Sequence, residues 1–198
     1  MSDGDGDIDV PTMFGTRSYS IWEVQPDDSL KLVHDSGSLE PLLLQLDKNA
    51  HNINRGETPD GFDTRSDDKG PEPEGLSVFT LDGMTLLALM LERQNGILLF
   101  DTDPNSPQFL DYVNTYASGI AGSDPSDRLV LPEGSVFISA ADSPTGGALL
   151  LVGYEGHDGG DNDAIIEGGI GVFSIPEPGS AGLAVGGLAL LGLRRRRS

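Results

Sequence analysis

Polar and apolar residues alternate from Ser18 to Val24 (Ser-Tyr-Ser-Ile-Trp-Glu-Val), and Leu30 to His34 is a short, mostly apolar run. Between them lies Gln25-Pro26-Asp27-Asp28-Ser29, a set of turn formers, so a β-hairpin is expected here. Leu39, Leu42, Leu43, Leu44 and Leu46 recur at helical spacing and predict a short helix within Ser38 to Leu46. From Asp47 to Glu74 the chain is polar and rich in Asn, Asp, Gly and Pro, which reads as a long loop. Loops of that length in compact domains are usually functional or disordered.

Beyond the loop the pattern repeats. Pro73-Glu74-Gly75 opens a unit with a strand to Leu81, a turn at Asp82-Gly83, an apolar strand to Leu91, Glu92, a turn at Gln94-Asn95-Gly96, and a strand to Phe100. Pro132-Glu133-Gly134 opens a second unit with a strand to Ser139, a turn at Pro144 to Gly147, an apolar strand to Tyr154, Glu155, an acidic Gly-rich insertion, and a strand from Gly169 to Phe173. The first unit adds a fourth strand, Phe109 to Thr115, whereas the second is expected to stop at three. The Ser18 to His34 hairpin matches the third and fourth strands of a preceding unit. Tandem four-stranded antiparallel sheets are the sequence signature of propeller blades. The fold expected is therefore all-β, a partial β-propeller of two to three blades; a two-sheet sandwich with a chance repeat is the alternative.

The end of the chain breaks the strand pattern. Pro176-Glu177-Pro178-Gly179-Ser180 is followed by Ala181 to Leu193, which has no charged or hydroxyl side chain, and then by Arg194, Arg195, Arg196 and Arg197. A short hydrophobic helix over 181–193 is expected, roughly 20 Å long at helical rise against a hydrocarbon core of about 30 Å. Insertion would need snorkelling arginines, local thinning or extension through Gly179 and Ser180, and a buried C-terminal helix is the competing reading. The order linker, apolar run, basic cluster resembles the PEP-CTERM sorting signal. That resemblance implies export to the cell envelope or surface, a membrane contact through 181–193, and an exosortase-type processing partner.

Charge narrows the partners. Twelve Lys and Arg face 32 Asp and Glu, a formal net charge of −20, and four of the twelve are the terminal arginines, so the body is more acidic still. Such a surface repels phosphate backbones and excludes nucleic acid as a natural partner, while it attracts divalent cations. There is no cysteine, hence no disulfide or thiolate chemistry.

The chain begins Met-Ser-Asp-Gly-Asp-Gly-Asp-Ile-Asp. In a calcium-loop register Asp3, Asp5, Asp7 and Asp9 take ligand positions and Gly6 the tight turn, but Met1 and Thr12 stand where the first and last carboxylates belong. Residues 1–13 read as an acidic, disordered leader or the remnant of such a loop. With no export signal beside an export address, the chain is expected to be the C-terminal portion of a longer protein.

A second resemblance covers the body, about residues 14–175. Phe62-Asp63-Thr64-Arg65-Ser66-Asp67-Asp68-Lys69-Gly70-Pro71-Glu72-Pro73-Glu74-Gly75, together with Leu91-Glu92-Arg93, Gly96-Ile97, Asp111-Tyr112-Val113-Asn114, Leu131-Pro132-Glu133-Gly134 and Arg17-Ser18-Tyr19-Ser20-Ile21-Trp22, resembles the choice-of-anchor I family. The resemblance implies a bacterial surface β-propeller with an interchangeable C-terminal anchor, in a family sometimes described as phosphatase-like or phytase-like. The upstream blades of that pattern are absent, and the insertion His157 to Glu167 is unusually acidic.

Candidate chemistry is confined to carboxylates. His34, His51 and His157 have no metal-ligand spacing, and no serine sits in a nucleophile-elbow context. Glu74 and Glu133 enter the first strand of each unit, Glu92 and Glu155 leave the second, and Asp67, Asp68 and Glu72 lie close in sequence. On a propeller these positions converge at one end of the axis, as a rim suited to calcium or as turn supports paired with Arg65 and Arg93. Asp158, Asp161 and Asp163 offer a further calcium-type loop or a solvated one. Two functions follow: a non-enzymatic surface module binding polysaccharide or surface proteins, or a calcium-dependent phosphoesterase whose axial site is incomplete in this chain.

Overall fold

The computed structural model describes residues 16–48, 51–52, 62–66, 69–103, 107–114, 129–156 and 167–175, with the backbone of 189–195. The expected hairpin is there, as β1 (Ser20–Val24) and β2 (Leu30–Asp35), antiparallel with Trp22 opposite Leu32 and Val24 opposite Leu30. Its turn closes through Gln25 N–H to the Ser29 carbonyl at 2.8 Å, and the Asp27 carboxylate takes the Ser29 N–H and hydroxyl at 3.2 and 2.7 Å. The short helix follows as α1 (Glu40–Leu46), with proline in its first turn and Leu43 buried.

The first repeat unit folds as a four-stranded antiparallel sheet in sequence order: β3 (Pro73–Leu81), β4 (Met84–Leu91), β5 (Gly96–Asp101) and β6 (Gln108–Asn114). In the second, β7 (Pro132–Ile138), β8 (Leu149–Tyr154) and β9 (Gly169–Ser174) are joined by β10 (Ala189–Arg195), again as a sheet of four. Two sequence expectations are corrected here. The second unit does not stop at three strands, and residues 189–193 are strand, not the tail end of an apolar helix. The physical reason is the free edge of β9. Its unpaired N–H and C=O groups are satisfied antiparallel by the tail, Leu190 opposite Phe173 and Leu193 opposite Gly171. Among the described residues no helix is long and apolar enough to cross a membrane.

The units match in register as well as in order. Pro73 pairs with Leu91 and Gly75 with Met90; Pro132 pairs with Tyr154 and Gly134 with Gly153, so both first strands carry the same bulge between their proline and glycine. The residue before each proline, Glu72 or Leu131, is left-handed, with φ of 46° and 60°. Its carbonyl receives the N–H of the glutamate after the second strand, Glu92 or Glu155, at 3.0 Å in both units.

The sheets stack face to face, β3 beside β7. The core between them joins Phe79, Ala88, Met90, Ile97 and Leu99 of the first to Leu150, Val152 and Phe173 of the second. Phe79 and Phe137 lie stacked across the junction at 4.2 Å between centroids. A second core covers the opposite face of the first sheet, where Leu39 and Leu43 meet Leu87, Leu89, Leu98 and Phe100, and Tyr19 packs on Phe100. The first sheet is thus sandwiched between the hairpin with α1 and the second sheet.

The approach of β3 to β7 depends on Gly75. A Cβ there would stand 2.3 Å from the Glu133 carbonyl oxygen, whereas one at the equivalent Gly134 would meet nothing within 4 Å. Gly75→Ala should lower stability by about 1–3 kcal/mol, the usual cost of overpacking a rigid contact, while Gly134→Ala should leave the urea midpoint nearly unchanged. Equal midpoints for the two variants in urea denaturation would show that the strands do not approach as described.

Candidate functional site

The bulges at Glu74 and Glu133 and the chain reversals after β4 and β8 bring glutamates from both units to one end of the stack. Carboxylate oxygens of Glu72, Glu74 and Glu92 lie within 4.8 Å of one another, and so do those of Glu92, Glu133 and Glu155. Glu92 belongs to both trios and is the hub. It is 7% exposed and Glu72 is 5% exposed, whereas Glu74, Glu133 and Glu155 face solvent. Extra residues in bulges re-aim side chains at sheet ends; the repeat of the bulge explains why both glutamates arrive at the same place.

Two cations serve the buried side of the cluster. Arg93, itself buried, donates from Nε to Glu72 Oε2 at 2.8 Å and lies 3.3 Å from Glu92 Oε1 through a terminal nitrogen, while Lys69 Nζ is 3.4 Å from Glu72 Oε1. Burial pushes the Glu72 carboxyl up, but the Arg93 hydrogen bond, a bond from Glu92 and the charges of Arg93 and Lys69 outweigh it, and the group titrates below its ordinary value. Glu92 goes the other way. Burial is the largest cause, opposed by the Arg93 charge and assisted by the bond it gives Glu72 and by the charges of Glu74 and Glu72, and its carboxyl is pushed up to about 8. Glu133 is also raised, by burial first and then by Glu155 and Glu74. At neutral pH the hub therefore holds a proton that it donates to Glu72, and this relieves repulsion among the carboxylates.

The donor set divides by use. Glu72 is spent on Arg93 and Lys69, so the trio containing it is a structural ion-pair network. Glu92, Glu133 and Glu155 offer hard oxygens within one ion's reach, two of them exposed, and that chemistry suits calcium with water completing the shell.

Of the residues expected on an axial rim, five are brought together: Glu72, Glu74, Glu92, Glu133 and Glu155. Asp67 and Asp68 lie outside the described residues, as do the two calcium-type loops (Asp3, Asp5, Asp7, Asp9; Asp158, Asp161, Asp163) and Pro176, Glu177, Pro178, Arg196 and Arg197. Arg194 and Arg195 fall in β10.

A second polar group had no sequence signal. Arg17 pairs with Glu40 and donates to the Ser66 carbonyl at 2.5 Å; Asn52 donates to Glu40 at 2.8 Å; His51 Nε2 stands 3.6 Å from Asp63. These partners are far apart in sequence and tie the long loop to the start of α1. Left-handed φ at Asn52 and Asp63, 45° and 59°, is the only local trace, and Asn and Asp tolerate it better than most residues.

A family model, that of the choice-of-anchor I domain, matches residues 1–105. The chain belongs to the choice-of-anchor I family. The matched segment contains β1 to β5 and the glutamates Glu72, Glu74 and Glu92; Glu133 and Glu155 come from the second unit, which is related to the matched part by the internal repeat. Choice-of-anchor I membership fits a surface-associated module at the cell surface or envelope. Among curated proteins, the chain is similar to Gigasin-3a of Magallana gigas, 28% identical over 159 residues, which cover 75% of this chain and 55% of that protein. The chain thus spans about half the length of that relative. No solved structure matches.

The folded state keeps the Glu92 proton up to about pH 8, whereas the unfolded chain releases it near 4.5. Its contribution is complete below the unfolded value and is lost as pH rises through the folded one. Glu72, lowered on folding, contributes with the opposite sign and only at the acid end. The urea midpoint should therefore fall between about pH 5 and about pH 8, in line with that linkage, and Glu92→Gln should remove most of the slope. An unchanged slope in the variant would mean that another group sets it.

Proposed function

We propose that the chain is a non-enzymatic binding module of the cell surface or envelope, built as consecutive blades of a β-propeller, whose recognition end is the Glu74, Glu92, Glu133 and Glu155 rim. The observation that carries this reading is the convergence of equivalent glutamates from two repeats beside the first strands, β3 and β7. Calcium is the ion that the donor set favours, and a bound ion with open coordination sites would present hydroxyl-rich polysaccharide or carboxylate-bearing surface protein with a ligand-binding point. The Pro176-Glu177-Pro178 linker, the apolar run and the arginines support delivery by an export and exosortase route.

The binding reading is preferred to a phosphoesterase for a specific reason. The two cations at the cluster are already engaged, buried Arg93 with Glu72 and Glu92 and the partly exposed Lys69 with Glu72. Among the described residues, a phosphate approaching the exposed carboxylates would meet mostly negative charge, with Arg93 and Lys69 already paired.

Calorimetric titration of the full chain with calcium chloride should show one saturable site. Glu133→Gln combined with Glu155→Gln should weaken it by at least the ~10–100-fold that loss of a supporting residue costs metal sites. Heat that is unaffected by the double substitution would place binding elsewhere on this acidic surface. Calcium-dependent hydrolysis of p-nitrophenyl phosphate that disappears in Glu92→Gln would replace the binding reading with the enzymatic one.

A further inference from the structure

The residue before each unit's first proline is held from the part of the chain stacked before it. In the first unit the Glu72 N–H donates to the Thr16 carbonyl at 3.1 Å, just ahead of the hairpin. In the second the Leu131 N–H donates to Asn95 Oδ1 at 2.9 Å, in the turn between β4 and β5. Glu72 and Leu131 are both left-handed, with φ of 46° and 60°. Such backbone at a residue with a side chain persists only where its surroundings fix it. The two links differ in kind: Thr16 offers a main-chain carbonyl, which any residue there would supply, whereas Asn95 offers its side chain.

The Asn95 link lies on an unbroken path between two glutamates of the rim. The Asn95 N–H donates to the Glu92 carbonyl at 3.2 Å and closes the turn after β4. Asn95 Oδ1 takes the Leu131 N–H, and the Leu131 carbonyl takes the Glu155 N–H at 3.0 Å. The backbone of the hub is thereby tied to that of Glu155, and Leu131 leads through Pro132 into Glu133. Asn95 and Leu131 are 0% and 3% exposed, so water does not compete for the bond between them. Asn95 is itself left-handed, with φ of 51°. Asparagine and aspartate tolerate that backbone and carry an acceptor; glycine tolerates it without one.

We infer that Asn95 is the positioning residue of the rim: its side-chain oxygen fixes Leu131 and so sets Glu133 and Glu155 against Glu92. The three carboxylates come from separate units, and their spacing depends on what joins those units. The approach at Gly75 brings β3 and β7 together, and the Asn95 bond holds the end of β7 at which the glutamates meet. That the trio would hold an ion rests on the calcium reading above; that Asn95 sets its geometry does not.

Two substitutions separate the side chain from the backbone. Asn95→Gly removes the acceptor and keeps the left-handed turn, and Asn95→Asp keeps both. Amide hydrogen exchange of the full chain, followed by NMR without added calcium, should show Leu131 and Glu155 exchanging ~2–10-fold faster in Asn95→Gly, the factor carried by a hydrogen bond of ordinary net strength. The Glu72 amide, held by Thr16, should be unchanged, and Asn95→Asp should restore the wild-type rates. In calorimetric titration with calcium chloride, Asn95→Gly should bind ~10–100-fold more weakly, as is usual on loss of a residue that orients ligands. Unchanged exchange at Leu131 and Glu155 overturns the inference, and so does acceleration at every amide alike, because the residue would then serve general stability. Faster exchange with calcium affinity intact overturns it as well, since the carboxylates would keep their places without the bond. Wild-type protein that binds no calcium sinks the ion reading of the rim instead, and the exchange rates alone then decide the role of Asn95.

Discussion

The approach of β3 to β7 is the constraint on which the rest of the molecule depends. Gly75 lets the Glu133 backbone come close enough that no side chain fits between them, and Ser77 and Ser135 fasten the two strands a step further on, hydroxyl to hydroxyl at 2.7 Å and Ser77 hydroxyl to the Ser135 carbonyl at 2.9 Å. With the first strands held together, the sheets behind them cannot spread, and Phe79 stacks on Phe137. The core of Met90, Ile97, Leu150 and Phe173 is a consequence of that spacing, since interiors of this kind tolerate neither gaps nor excess volume. The same approach brings Glu133 and Glu155 within reach of Glu92.

Bringing five carboxylates together in a chain already this acidic has an electrostatic cost, and the structure meets it in two ways. Arg93, buried beside the cluster, neutralises the Glu72 side, and a proton on Glu92 neutralises the centre. Desolvation makes the second device work, because a buried carboxyl gives up its proton only when the ion gains enough from its surroundings. Glu74, Glu133 and Glu155 remain in water, where repulsion is screened. The Arg93 pairing and the raised Glu92 carboxyl together reduce the repulsion that five neighbouring carboxylates would otherwise exert.

Beyond the hairpin and the short helix, which local patterning gave, what could be read from sequence was what repeated. The recurrence of Pro-Glu-Gly, of an apolar second strand ending in glutamate and of a Gly-Ile strand located both sheets and four of the five clustered glutamates, because equivalent positions in stacked units fall at equivalent heights. Glu72 was legible through its neighbours in the Arg65 to Gly75 string. The polar knot of Arg17, Glu40, His51, Asn52 and Asp63 was not, since its partners meet only after the long loop folds back on α1. The burial of Glu92 was also hidden: no local pattern distinguishes a glutamate at a sheet end that faces water from one roofed by the next unit.

Residues 189–193 depart from the expected helix for a reason of context. Ala181 to Leu193 has the composition of a short membrane helix, but composition does not decide between a helix and a strand when an unpaired edge is within reach. In water the backbone of Ala189 to Arg195 is satisfied by β9, and in a bilayer the same groups would have to be satisfied within the segment, as a helix. Residues 189–193 cannot serve both arrangements. Any anchoring through the apolar run must first strip β10 from β9, leaving the last sheet with three strands and Gly171 and Phe173 at a bare edge. Such an edge invites a replacement strand, so anchoring by this run and the integrity of the last sheet are coupled through one set of backbone hydrogen bonds.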